Sequence, residues 1–154
     1  MADVLHPISR RDRPHLLKEL RRDLPMSTVY HWLRMQSEWE TKIPSLKLHI
    51  LCPDGNWSDA AVVAFADGLA ADGKQYGVVY AREGRGDERL ADALLRTRAI
   101  PWHTMIHFTC VLQRHVKPVK VAARAAGVSL PPDNVCYLVN FPQSALKTQY
   151  DALS

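Results

Sequence analysis

The sequence lacks the features that mark several classes of protein. It has only three cysteines, Cys52, Cys110 and Cys136, which are widely spaced and form no C-x-x-C pair. This excludes a disulfide framework and a cysteine-based zinc site, and favours an intracellular compartment, cytoplasmic or mitochondrial. No apolar stretch approaches the ~18 residues of a membrane span, and no apolar signal core follows the first methionine. We therefore expect neither secretion nor a membrane partner.

Positive charge is not concentrated either. Lys and Arg number 20 against 16 Asp and Glu, which gives a net charge of +4. The densest basic segment runs from Arg10 to Arg22, but Asp12 and Glu19 interrupt it and Asp23 follows it. No aromatic side chain interleaves with these charges to stack on bases. The pattern predicts a solvated helix face, and we expect no nucleic-acid partner.

What is present is the composition of one globular domain. Apolar residues make up 47% of the chain and charged residues 23%, which excludes a fully disordered chain. A domain of 154 residues buries roughly 70% of the surface of its unfolded chain without disulfide or metal staples. We therefore expect residues 1–154 to form a single domain.

Helical periodicity is found near the start of the chain. Residues 9–12 followed by Pro14 predict a helix start, and leucines then follow at helical spacing until Pro25. Ser27 predicts the cap of a second helix, which Pro44 ends. The two apolar stripes are Leu16, Leu17, Leu20 and Leu24 in the first helix, and Val29, Trp32, Leu33, Gln36 and Trp39 in the second.

From Leu46 onwards the apolar residues recur every second position, as they do in a β-strand. Leu46, Leu48 and Ile50 alternate with polar residues, which predicts a half-buried strand. Residues 53–56 (PDGN) predict a turn, and the apolar runs 60–66 and 76–81 predict two further strands. The spacing allows the three strands to be antiparallel neighbours.

Helices and strands alternate in the last third. Asp87 predicts the cap of a helix, and Pro118 the first turn of another that runs to Ala126 before Gly127 stops it. Residues 102–112 favour a strand, and residues 135–141 (VCYLVNF) predict the last one. The third helix carries Leu90, Ala91, Leu94 and Leu95 on one side, and the strand in 102–112 alternates Ile106, Phe108 and Cys110. This order predicts an α/β (α+β) fold with a mixed, mostly antiparallel sheet flanked by helices.

Few residue patterns point to chemistry. His103 and His107 are four residues apart, but no third ligand lies near them, so we expect no metal site. Cys110 would need His107 or His115 beside it to act as a nucleophile, and a cysteine in an apolar run is more often a core residue. Neither a P-loop nor a G-x-S-x-G elbow is present, and we assign no catalytic residue.

The turn over residues 81–86 (AREGRG) is the candidate cofactor site. It lies between a predicted strand and a predicted helix, where Gly84 and Gly86 would let backbone N–H groups approach a pyrophosphate. The acyl-CoA loop of the N-acetyltransferase fold has the form [RQ]-x-x-G-x-[GA] in this context. Ala81 departs from that form, and Asp87 and Glu88 put negative charge at the helix start. These departures favour an ordinary glycine turn.

An ordered series of short motifs resembles the glycine N-acyltransferase-like family, with insect-type relatives looking most similar. The motifs are Leu20-Arg-Arg-Asp-Leu24-Pro25 with Tyr30 nearby, Asn56-Trp57-Ser-Asp59 before the AAVVAFA run, and Ala99-Ile100-Pro-Trp102. The resemblance covers about residues 5–141 and is to that family's N-terminal domain, which resembles a degenerate N-acetyltransferase fold.

The resemblance implies transfer of an acyl group from acyl-CoA to the amine of glycine or another amino acid. The amine attacks the thioester, a general base takes the proton, and backbone N–H groups stabilise the oxyanion. In the family the CoA loop and the catalytic residues belong to a C-terminal domain, so none can be carried over to this chain. Matching residues such as Trp57, Asp59 and Trp102 are then structural.

We therefore expect the N-terminal half of an acyl-CoA:amino-acid N-acyltransferase, without the catalytic half and inactive alone. Acyl-CoA would be the co-substrate of the full-length protein, with no cofactor bound by this chain. Two alternatives stay open. One is a non-catalytic interaction domain that docks onto a partner, or onto a second copy of the chain, through the interdomain face left uncovered by the missing half. The other is a small self-sufficient acetyltransferase that uses the 81–86 turn.

Overall fold

The computed structural model describes residues 2–68, 73–104 and 106–128. Five strands and four helices lie in these ranges. In chain order they are β1 (Leu5–Pro7), α1 (Arg13–Arg22), α2 (Val29–Lys42), β2 (Lys47–Pro53), β3 (Val62–Asp67), β4 (Gln75–Tyr80), α3 (Arg85–Arg96), β5 (Ile106–Phe108) and α4 (Gln113–Ala125).

The strands form one sheet in the order β1-β2-β3-β4-β5. Neighbouring strands from β1 to β4 are antiparallel, whereas β5 runs parallel to β4. A parallel pair needs a crossover connection, and α3 provides it. The predicted fold class, a mixed and mostly antiparallel sheet with helices, is confirmed, as is the antiparallel arrangement of the three central strands.

Each face of the sheet carries a hydrophobic core, and alternate residues of β3 serve the two faces. Val62 and Ala64 contribute to a cluster with α1 and α2, in which Leu20 and Leu33 are fully buried. Val63 and Phe65 contribute to the cluster with α3 and α4. The domain therefore has three layers, and the central strands are apolar on both faces, which explains the continuous run AAVVAFA.

The first two helices agree with their prediction, except for the second cap. Ser27 does not cap α2: its hydroxyl donates to the carbonyl of Leu20, and Thr28 precedes the helix without a side-chain cap bond. Strand β1 was not predicted, because three residues ending in Pro7 give too short a pattern to read.

Helices α3 and α4 begin earlier than predicted. Gly84 is the N-cap of α3, so Asp87 lies inside the helix rather than capping it. Pro118 lies inside α4, not in its first turn, because the helix begins at Gln113. Gly127, with φ +82°, follows the end of α4 as predicted.

Two predictions of burial were wrong. Leu95 is exposed, and Ala93 takes its place on the buried side of α3. Cys110 follows β5, is exposed and has φ +55°, whereas Cys52 is a fully buried core residue.

The predicted strand 135–141 lies outside the described residues. Among the helices of the described ranges, none combines the length and the apolar character needed to cross a membrane.

Candidate functional site

Residues 81–86 connect the end of β4 to the start of α3, as predicted. Gly84 has φ +95°, which an L side chain rarely adopts, and a Cβ there would meet nothing within 4 Å. Gly84 is therefore required by the backbone conformation of the turn.

Gly86 serves a close contact within the protein. A Cβ at Gly86 would lie 2.8 Å from the carbonyl oxygen of Asp59. The Asp59 side chain is held in turn by Arg89, whose Nη1 donates to Oδ2 at 2.5 Å. Because Gly86 has no side chain, the loop that contains Asp59 can pack directly against the start of α3.

Two backbone amides at the start of α3, those of Asp87 and Glu88, are hydrogen-bonded within the chain. The N–H of Asp87 donates to the carbonyl of Arg82 at 3.0 Å, and the N–H of Glu88 to that of Gly84 at 3.2 Å. Two acidic side chains occupy the first turn of the helix. These charges complement the helix dipole from within the chain, and they would repel a phosphate.

Arg82 is directed to α1. Its Nε donates to both carboxylate oxygens of Asp23, at 3.0 and 3.1 Å, and its Nη2 to the carbonyl and carboxylate of Glu19 at 3.1 Å. The Arg82 hydrogen bond lowers the pKa of Glu19. Tyr80 donates to Asp23 at 2.9 Å, and burial together with this carboxylate raises the pKa of Tyr80 to about 12. The positive charge of Arg82 is therefore neutralised by two carboxylates.

His115, from the first turns of α4, lies against the end of β4. It is 1% exposed, and its Nε2 accepts the N–H of Ala81 at 3.2 Å. Its Nδ1 lies 3.2 Å from Oδ1 of Asp87, which favours the proton on Nδ1. Burial, followed by the nearby Arg114, lowers the pKa of His115. The imidazole is thus held neutral.

Arg114 completes this group. Its Nη2 donates to the carbonyl of Ala81 at 2.5 Å, its Nε lies 3.4 Å from Asp87, and its guanidinium carbon lies 5.7 Å from the Tyr80 ring centroid. Both backbone groups of Ala81 are therefore bonded to side chains of α4. We call Ala81, Asp87, Arg114 and His115 the β4-end cluster.

The β4-end cluster could not be found by motif reading. Its members lie up to 34 residues apart in sequence, and the packing of α4 against α3 and the end of β4 brings them together. Helix α4 carries no acid in its first turn, and the carboxylate beside its histidine and arginine comes from Asp87 of α3.

The structure does not bring the other predicted groups together. His103 lies in the turn before β5 and His107 within β5, and no group of three or more metal-ligating side chains is found in the described ranges. Cys110 contacts the hydroxyl of Thr109 at 3.6 Å. Burial raises the pKa of the Cys52 thiol to about 12, so it is not a nucleophile at neutral pH.

The residues that carry the family resemblance make packing and ion-pair contacts. Trp57 stacks on His15 with ring centroids 5.0 Å apart, and Trp102 packs against Phe108 at 5.9 Å. Asp59 pairs with Arg89, as described above.

Comparisons with known proteins give a fold and no function. No family model and no curated protein matches the chain. An X-ray structure of a Drosophila protein from a structural genomics consortium is similar, with a TM-score of 0.69 and 20% identity. The similarity covers 84% of this chain and 47% of that one, so the chain spans about half the length of that protein. At this identity the likeness establishes the fold alone.

Proposed function

We propose that this domain is the N-terminal domain of an acyl-CoA:amino-acid N-acyltransferase of the glycine N-acyltransferase-like type. In this role it supports a catalytic domain, and does not itself transfer acyl groups. The reaction of the whole protein would join an acyl group from acyl-CoA to an amino-acid amine inside the cell. Two free thiols, on Cys52 and Cys110, are compatible with that compartment.

The observation that carries the non-catalytic role is the state of the 81–86 turn. A phosphate-binding turn needs free backbone N–H groups and positive charge at the helix start. Here Asp87 and Glu88 place two negative charges in the first turn of α3, Gly86 packs against the carbonyl of Asp59, and Arg82 is paired with Asp23 and Glu19. The ordered motif series and the β4-α3-β5 crossover support the assignment to an N-acetyltransferase-like domain.

The test is an acyl-transfer assay on the isolated chain. Purified protein is mixed with acyl-CoA and a panel of amino acids that includes glycine, and release of the CoA thiol is followed. We expect no release above that of a heat-denatured control. Turnover that is lost in Gly84→Ala and Gly86→Ala variants would overturn the proposal and establish a self-sufficient acetyltransferase.

A further inference from the structure

The outward side of α1 carries basic side chains and no acidic one. Leu16 and Leu20 are buried in the core, so Lys18, halfway between them in sequence, lies on the opposite side of the helix. Other exposed basic residues lie near the end of α1 and just before its start. We call this set the basic surface: Arg11, Lys18, Arg21 and Arg22.

The acidic residues of the same segment are turned away from the basic surface. The side chains of Glu19 and Asp23 are each 16% exposed, and both pair with Arg82 after β4. Asp12 is half-buried before the helix begins. Among the described residues, Glu19 also pairs with Arg22, and no carboxylate pairs with the other three members of the basic surface. Acids that lie within or beside the basic segment in sequence therefore leave a continuous positive surface in the folded chain.

Helix α2 extends this side of the domain. It packs with α1 on one face of the sheet, so the exposed sides of the two helices face the same way. Arg34 is exposed there, and Met35 beside it is 40% exposed. Met26, in the connection between the helices, is 42% exposed. The acid on this side of α2, Glu38, is paired with Lys42 at 2.8 Å. The side is thus positive and carries exposed apolar side chains.

This combination fits the surface of an anionic membrane. An anionic leaflet attracts Lys and Arg, and apolar side chains among them can enter the interface. Single-stranded nucleic acid would need exposed aromatic rings for stacking, but the rings of α2, on Tyr30, Trp32 and Trp39, pack against the core. A second copy of the chain also carries a net charge of +4, so it supplies no complementary charge.

We infer that the side of the domain formed by α1 and the exposed part of α2 binds anionic phospholipid headgroups, with Arg11, Lys18 and Arg21 as the main contacts. Binding of this kind is peripheral, with no segment crossing the bilayer. The inference replaces the expectation of no membrane partner, which rested on the lack of an apolar span. It goes beyond the proposed function and does not depend on it, because no acyl-transfer chemistry enters the contact.

The test is co-sedimentation of the full chain with vesicles made of equal parts phosphatidylserine and phosphatidylcholine. We expect saturable binding that is absent with phosphatidylcholine alone. Binding should also be lost at about 1 M salt, where the Debye length falls to about 3 Å. Failure of the wild type to bind the anionic vesicles, or equal binding to both kinds of vesicle, would overturn the inference.

The triple variant Arg11→Gln, Lys18→Gln, Arg21→Gln tests the assignment to the basic surface. Each Lys or Arg near an anionic leaflet strengthens binding by about fivefold, so we expect the variant to bind about a hundredfold more weakly. Circular dichroism checks that it folds. If it does not fold, Lys18→Gln alone should weaken binding about fivefold. A folded triple variant, or a folded Lys18→Gln, that binds as tightly as the wild type would overturn the assignment.

The matched control removes the same charge from the other side of the sheet. Arg98 after α3, and Lys117 and Arg124 in α4, are exposed basic residues of the opposite helical layer. Replacing all three with glutamine should weaken binding by less than about threefold, because screening limits the reach of distant charges. A weakening equal to that of the first triple variant would show that net charge, and not the basic surface, drives binding.

A last comparison tests the class of partner. The wild type is titrated with a DNA duplex of mixed sequence and with polyglutamate, at the same salt and the same concentration of negative charge as the vesicles. We expect both to bind more weakly than the anionic vesicles, because neither offers an apolar interface to the exposed methionines. Tighter binding of the duplex would favour a nucleic-acid partner, and tighter binding of polyglutamate an acidic protein, and either result would overturn the inference.

Discussion

The two halves of strand β4 are held in place by different chemistry. From Gln75 to Gly77 the strand pairs through its backbone with β3 on one side and β5 on the other. Towards its carboxyl end the strand pairs with β3 as far as Tyr80, and the side chains of Arg114 and His115 bond Ala81, the residue that follows it. Backbone pairing tolerates most side chains, whereas side-chain bonds require particular residues. Substitutions should therefore lower the stability of the domain more at the side chains that bond Ala81 than at those beside Gln75–Gly77.

His115→Leu tests this contrast most directly. Leucine has a similar volume but leaves the buried N–H of Ala81 without an acceptor, so we expect a loss of about 3 kcal/mol in the free energy of unfolding. His107→Leu, on the exposed side of β5 beside the first half, should change it by less than about 0.5 kcal/mol. Urea denaturation measures both. Equal losses would contradict the contrast between the two halves.

Gly86→Ala tests how the turn after β4 is packed. The new Cβ would come within 2.8 Å of the carbonyl oxygen of Asp59, which is backbone and cannot easily move. We expect a loss of about 2 kcal/mol from overpacking. Gly127→Ala, with φ +82° but nothing within 4 Å of its Cβ, should cost about 1 kcal/mol from backbone strain alone. Thermal or urea unfolding that ranks Gly127→Ala as the more damaging would argue against this packing.

The pH dependence of stability should report on His115. Because its pKa is lowered below the ordinary value of 6.5 in the folded state, the unfolded chain takes up the proton first as the pH falls. The contribution is fully present above pH 6.5 and is lost as the pH falls from 6.5 towards the folded pKa, at a rate of at most about 1.4 kcal/mol per pH unit. The stability difference between wild type and His115→Leu should therefore shrink below pH 6.5. A difference independent of pH between 5 and 8 would show that the histidine is not held neutral.

Arg82→Ala should have the smallest effect. Its side chain is 35% exposed, so its ion pairs with Asp23 and Glu19 are partly screened, and we expect a loss of about 1 kcal/mol. Arg96→Ala removes an exposed pair with Asp92 within α3 and should cost about 0.3 kcal/mol. The urea midpoints of the two variants and of the wild type are compared at low and at high salt. Because salt screens ion pairs, both losses of stability should be smaller at high salt. If Arg82→Ala lowered the free energy of unfolding as much as His115→Leu does, the ion pairs of Arg82 would stabilise the end of β4 as much as the β4-end cluster does. That result would contradict the expected order of effects.

Local signals were sufficient for most elements and for the fold class. The proline at position 14 and the leucine spacing predicted α1, and alternation at Leu46, Leu48 and Ile50 predicted β2. Local signals misplaced the start of α4, because Pro118 is typical of a first turn and yet lies inside this helix. A proline at that place removes one amide that would have bonded back to the residue four earlier, Arg114, whose side chain is engaged elsewhere.

The candidate site was predictable only in part. Gly84 and Gly86 were identified because a glycine pair between a strand and a helix is a local pattern. Their roles were not, since the partner of Gly86 is Asp59, 27 residues earlier in the chain. The cluster of Ala81, Asp87 and His115 depends on which helix covers the gap beside β4, and that is decided by packing of the whole sheet.

The division of the core by the sheet has a thermodynamic consequence. Leu33 of α2 and Leu94 of α3 are both buried, but they belong to clusters on opposite faces that share no member. Substitutions at sites without shared partners usually add to within about 0.5 kcal/mol. Leu33→Ala and Leu94→Ala should therefore combine additively, whereas Leu33→Ala combined with Leu20→Ala, on one face, should show coupling. A mutation in one helical layer should therefore leave unchanged the loss of stability that a mutation in the other layer causes.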